Sequence, residues 1–394
     1  MTEWLRRART VSVVLLALGA SACASTPREP YDAALAEAAE IPGIADARLY
    51  LDAPPETVRA RVRALARATR GYAGGRMQVL AISGGGATGA FGAGVVTGWS
   101  ARGDRPVFDI VSGVSIGALI APLVFLGEAY DPVIEAMFAD GSAAGVVRLR
   151  NPLSILASGA LDPRPLERLI AEVVDARVLA RIAGEHRAGR RLLVVTTNLD
   201  SQRGVIWDLG AIAASGHPEA PALFRRVLRA SAALPGAYEP VRIEVAAAGR
   251  AFEELHVDGG VTANVLVVPE ALLDGRIGAD LPTRDGDVRV IVNGRVGPDF
   301  EVVADSTLPV VVRSFETAVK ANTQRILEDT RAFARRRGLS FSVASIGADL
   351  PDADPLAFDR EDMRDAFAHG YARALAGTAF DDGASPARAV TARR

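Results

Sequence analysis

Two apolar runs in this chain each end in a glycine-rich turn and reopen as a helix. Met77–Ser83 leads into Ser83-Gly84-Gly85-Gly86-Ala87-Thr88-Gly89 and the helical stretch Phe91–Ala101. Phe108–Ser112 leads into Gly113-Val114-Ser115-Ile116-Gly117 and the helical stretch Ile116–Gly127. Strand–helix alternation of this kind builds an α/β domain with a largely parallel sheet flanked by helices. Arg191–Asn198 and Val288–Asn293 read as further strands, and Phe315–Gly338 and Glu361–Leu375 as helices. The domain is expected over 75–376, with 377–394 a disordered tail. Of 394 residues, 49% are apolar, enough for one large core or two smaller ones.

The glycines decide what chemistry such turns can host. Gly84, Gly86 and Gly89 form a GxGxxG, the fingerprint of a dinucleotide site, which also requires an acidic residue ending the next strand. Asp104 lies at the right distance but within Ala101–Pro106, a loop by composition. A nicotinamide cofactor is therefore not expected, and no other cofactor is either. Stacked glycines at a helix N-terminus also expose N–H groups that can hold a developing oxyanion.

Gly113-Val114-Ser115-Ile116-Gly117 has the form of a nucleophile elbow, in which flanking glycines permit the sharp turn that exposes a serine hydroxyl. His256-Val257-Asp258-Gly259-Gly260 ends a further short strand. An Asp before two glycines is ordinarily a turn former. It also leaves a carboxylate uncrowded, where it can act as a base toward a serine.

The remaining composition narrows the field. A formal net charge of −2 excludes nucleic-acid binding through bulk positive charge. One cysteine and four scattered histidines (His186, His217, His256 and His369) give no metal-ligand spacing, and no metal site is expected. In a serine–histidine–acid hydrolase a histidine follows the acid. Only His369 does so here, on a helix far along the chain.

The amino terminus reads as an export signal over 1–22. Arg6, Arg7 and Arg9 precede the short apolar run Val11–Ala20, and Ala20-Ser21-Ala22 supplies small residues for cleavage. Cys23 follows at once, which resembles the lipobox of bacterial lipoproteins, with Ala20 where that motif usually has Leu. The resemblance implies a lipidated Cys23 as mature N-terminus and a membrane-anchored protein of the bacterial cell envelope; plain secretion is the alternative. Residues 23–74 read as a tether plus a helix from Pro55 to about Arg70, apolar at Val58, Val62 and Leu65 and basic elsewhere.

Taken together, a strand–GGG–helix, a strand–GxSxG–helix and a later DGG resemble the patatin-like phospholipases. Ala230–Pro240, Thr197–Asp200 and Phe358-Asp359 with the closing helix resemble the bacterial branch of that family. The resemblance covers roughly 75–375 and implies a three-layer α/β fold. It further implies a Ser115–Asp258 dyad, an oxyanion hole of the Gly84, Gly85 and Gly86 amides, and a lipid or other ester as substrate. Where the family often has Asp and Arg in its glycine motif, this chain has Ser83 and Thr88. A surface lipoprotein that keeps the fold as a non-catalytic lipid-binding module is the alternative.

Overall fold

The computed structural model describes residues 28–68, 76–139, 142–150, 159–277, 285–300, 302–347, 350 and 358–381. The export signal and Cys23 lie outside the described residues, as does the tail beyond 381.

Nine strands of the described residues form one sheet. They are β1 Arg48–Tyr50, β2 Met77–Ile82, β3 Ile110–Val114, β4 Arg191–Asn198, β5 Arg203–Asp208, β6 Val241–Ala247, β7 Arg250–Asp258, β8 Gly286–Val292 and β9 Ser340–Ser345. The main order is β1-β5-β4-β3-β2-β8-β9. From β4 to β9 every ladder is parallel, while β5, β1 and the β6–β7 hairpin join antiparallel. The central strands carry apolar runs, such as Val79–Ile82 and Leu192–Val195, because both faces of the sheet are covered.

The helices of eight residues or more are α1 Pro55–Ala68, α2 Gly89–Arg102, α3 Ile116–Leu126, α4 Asp131–Phe138, α5 Arg164–Val173, α6 Ala176–Arg187, α7 Ala220–Ser231, α8 Thr307–Arg337 and α9 Arg360–Leu375. Alternate residues of β2 separate two cores. Leu80 and Ile82 pack with α2, α3, α4 and α9, whereas Val79 and Ala81 pack with Val265, Leu266 and the α8 residues Ile326 and Leu327. The result is a central sheet flanked by helices. α3 is apolar all round, and ten of its eleven residues are buried.

The stretch expected to be a tether is packed from residue 28 onward. β1 pairs with β5 through Arg48↔Trp207, and Ile41, Ile44, Ala47 and Leu51 are buried. Arg28 grips Asp200 with two hydrogen bonds of 2.6 and 2.7 Å, and the Tyr31 ring stacks on Phe252 at 4.3 Å. The apolar residues here are few and aperiodic, so they bury without producing a sequence signal. The expected tail is docked over its first residues, since Asp381 exchanges backbone hydrogen bonds with Val343 of β9.

Candidate active site

Ser115 occupies the turn between β3 and α3 with φ +55° and ψ −125°, a conformation costly for a residue with a side chain. Its surroundings leave the turn no other course. A Cβ at Gly113 would overlap the carbonyl of Gly117, and one at Gly117 would overlap the carbonyl of Ile82. The Ser115 N–H donates to Ser231 Oγ (2.9 Å), and the Ser231 hydroxyl donates to the Val195 carbonyl (2.7 Å). Ser115 immediately precedes α3, so the positive end of the helix dipole lies beside the hydroxyl.

Asp258 reaches the same point from the opposite direction. β3 climbs along β4 to the rung Val114↔Val195, and β7 descends the same edge of β4 to the next rung, Thr196↔Asp258. The two strands therefore meet end to end, and Ser115 and Asp258 are the residues at the junction. The Asp258 side chain is 2% exposed. Its Oδ1 accepts the Gly260 N–H at 2.7 Å, and the Ser115 hydroxyl is near enough to the carboxyl group to favour its charged form. Burial pushes the Asp258 pKa up to about 6 against the downward pull of those two donors.

The glycine loop between β2 and α2 closes a third side. Asn293, just past β8, is its buckle. The Asn293 N–H donates to Ser83 Oγ (2.8 Å), its Nδ2 donates to the Ser83 carbonyl (2.8 Å), and its Oδ1 accepts the Gly92 N–H (3.0 Å). The Thr88 hydroxyl lies within hydrogen-bond distance of the carbonyls of Gly85 (2.7 Å) and Asn293 (2.8 Å). Thr88 thus serves the loop's own geometry and presents no cation at this position. A Cβ at Gly84 would stand 3.0 Å from the Ser115 Cβ, so the loop lies against the serine. The Gly84 N–H is engaged by the Asn264 carbonyl at 3.3 Å, whereas no such bond engages Gly85 or Gly86. Gly86 takes φ +57°, which its lack of a side chain allows.

His256 is wholly buried and turned away from this junction. Its Nδ1 meets Thr196 Oγ1 at 2.9 Å and its Nε2 meets Glu254 Oε2 at 3.0 Å. Trp207 Nε1 donates to the same Thr196 oxygen (2.8 Å), and Glu254 is paired with the buried Arg48. Both ring nitrogens are occupied, and burial holds the imidazole below its ordinary pKa. His369 sits on α9 against Phe91, with ring centres 6.1 Å apart. Asp104 is in the loop after α2, bonded to Arg102 and not at a strand end.

Asn293, Asn264 and Thr196 are lone polar residues whose partners are distant in the chain, so no spaced motif points to them. Ser231 lies within the Ala230–Pro240 stretch, which gives no sign of its bond to Ser115. Among the described residues no group of three or more His, Cys, Asp or Glu is arranged to hold a metal ion.

No curated protein matches the sequence. Among solved structures, that of VipD from Legionella pneumophila aligns over 78% of this chain and 68% of its own, at 14% identity and a TM-score of 0.36. Residues 80–271 match the family model of the patatin-like phospholipases. That span holds Gly84, Ser115 and Asp258. The match takes in just under half of the chain and ends before β8, α8, β9 and α9.

Proposed function

We propose that this protein is a serine lipid acyl hydrolase, a carboxylic ester hydrolase with Ser115 as nucleophile and Asp258 as base. The observation that carries the reading is the end-to-end meeting of β3 and β7 on β4, which brings a buried carboxyl group to a strained serine hydroxyl. As Ser115 Oγ attacks the acyl carbon, its proton passes to Asp258 and the carbonyl oxygen becomes an oxyanion. The amides of Gly85 and Gly86 receive that charge. The Gly84 amide, engaged by Asn264, keeps the loop in place. Collapse breaks the ester bond, and the departing alcohol takes the proton from Asp258. A water molecule then attacks the acyl-serine by the same route, releasing the fatty acid and restoring Ser115.

A base of pKa about 6 is ionised at neutral pH and still basic enough to take a proton in the transition state. The resemblance to lipoproteins adds that Cys23 is lipidated and anchors the protein to a membrane of the bacterial envelope. Cys23→Ser should then move the protein out of the detergent phase.

Two measurements test the hydrolase reading. A fluorophosphonate probe should label wild type and leave Ser115→Ala unlabelled, and purified protein should release fatty acid from defined phospholipids. A folded protein that does neither is the non-catalytic lipid-binding module instead.

A further inference from the structure

Exposed apolar side chains are not spread evenly over the molecule. Among the described residues, Phe300 is 92% and Val302 84% exposed, on the loop that leaves the C-terminal end of β8. Val310 and Val311, also exposed, lie on the first turns of α8 beside them. α8 hands over to β9 at its N-terminal end, so its own start lies at the opposite end of the sheet, where Ser115 is. Thr323 of α8 bonds to Asn264 next to the glycine loop (3.2 Å). At 1.5 Å per residue, Val310 stands roughly 20 Å beyond that level along the helix. Asp299 fastens the loop to the helix through Lys320 and through Arg313 at 3.5 Å.

Three other exposed apolar residues lie at this same end. Leu199 follows β4, Val261 follows the Asp258 turn, and Leu149 borders the segment bonded to Gly236 and Ala237. Val107, Val133 and Leu375 are the exceptions, at the far end. Seven of the ten large apolar side chains exposed among the described residues thus gather at the end of the sheet where Ser115 is, as at a surface that meets an apolar partner.

The chain's own root is at this end too. Arg28 is bonded to Asp200, next to Leu199 at the top of β4. Cys23 is five residues earlier, within about 18 Å even if the chain is fully extended.

We propose that this end of the molecule docks on a lipid bilayer, with Phe300, Val302, Val310 and Val311 inserted among the lipids and the sheet end that carries Ser115 turned toward them. The inference rests on the hydrolase reading for its purpose, since a lipid substrate must leave a membrane to reach Ser115.

A tryptophan added at one surface position reports the docking without any need for turnover, once the emission of wild type, which carries Trp4, Trp99 and Trp207, is subtracted. The full chain, as wild type and carrying Phe300→Trp or Val107→Trp, is combined with phosphatidylcholine vesicles whose acyl chains are brominated. The emission added by Phe300→Trp should shift to the blue and fall at least twofold, while that added by Val107→Trp stays unchanged. Equal behaviour of the two probes overturns the proposal. A blue shift without bromine quenching also overturns it, and assigns the patch to a second copy of the chain. Separately, Phe300→Ser/Val302→Ser should lower fatty-acid release from vesicles at least tenfold and leave hydrolysis of a soluble short-chain ester within twofold. Unchanged vesicle hydrolysis with an active protein counts against docking. If no form labels with fluorophosphonate, the hydrolase reading fails while the quenching result still decides the docking.

Discussion

The backbone N–H of Ser115 ends on the hydroxyl of Ser231, 2.9 Å away, although the two residues are 116 positions apart. Ser231 is the last residue of α7, and its own hydrogen goes to Val195 on β4. One hydroxyl thus links the strained turn, a helix end and the central strand.

Ser231→Ala removes the acceptor of this N–H. The variant should lose about 1–3 kcal/mol of stability, the usual cost of a buried donor left unpaired. It should also lose roughly tenfold in turnover as Ser115 relaxes. Thermal unfolding and ester hydrolysis measure the two effects. A variant matching wild type in both would show that the glycine packing alone holds the turn.

The Asp258 carboxyl group gives two linked expectations. Its pKa, raised by burial, means that kcat/KM should climb as pH rises through about 6 and then level off. The raised value also means that the ionised form is disfavoured in the fold. Asp258→Asn should therefore abolish turnover yet stabilise the protein, by up to about 3 kcal/mol at 1.36 kcal/mol per pKa unit. The gain is full above pH 6 and disappears below about pH 4, where both folded and unfolded wild type are protonated. Denaturant unfolding at pH 4 and pH 8 gives the comparison, and a loss of stability at pH 8 would contradict the burial account.

A methyl group at position 85 has nowhere to go, because it would overlap the Asn293 carbonyl. Gly85→Ala should displace the loop and lower turnover by about 10²- to 10³-fold, the loss seen when an oxyanion donor is removed. Wild-type turnover in the folded variant would move the oxyanion site to another part of the chain.

His256 separates a structural from a chemical role. His256→Ala should destabilise the protein, because Glu254 and Thr196 lose a partner inside the core. His256→Gln, which can bond to both, should recover much of that loss. Activity per folded molecule should stay close to wild type in both variants. A loss as deep as that of Ser115→Ala, measured on a soluble ester, would make the imidazole the base.

The junction motifs were legible in the sequence because each is local. A strand, two or three glycines and a helix follow one another within 26 residues at the first junction, Met77–Arg102, and within 17 at the second, Ile110–Leu126, and β4 runs from Arg191 to Asn198 as its apolar texture predicts. What joins the motifs was not legible. Nothing near Asn293 points to Ser83, and nothing near Ser231 points to Ser115, because those bonds depend on register across the sheet. β1 leaves no signature for a related reason: three residues at a sheet edge carry too little periodicity. The long helix begins at Thr307, eight residues before the amphipathic pattern that suggested it. Its first turns carry exposed valines, so no buried stripe marks them.

The pairing of β2 with β8 over six rungs, Met77↔Gly286 to Ile82↔Ile291, sets how this protein can be cut. A fragment trimmed to 80–271 would keep the serine and the aspartate but shed the strand beside β2 and the asparagine that closes the glycine loop. It would also strip β1 from β5. Two bare, apolar sheet margins would then face water, ready to pair with any neighbouring chain. Such a fragment should precipitate and not catalyse, and its silence would say nothing about the chemistry of the intact protein.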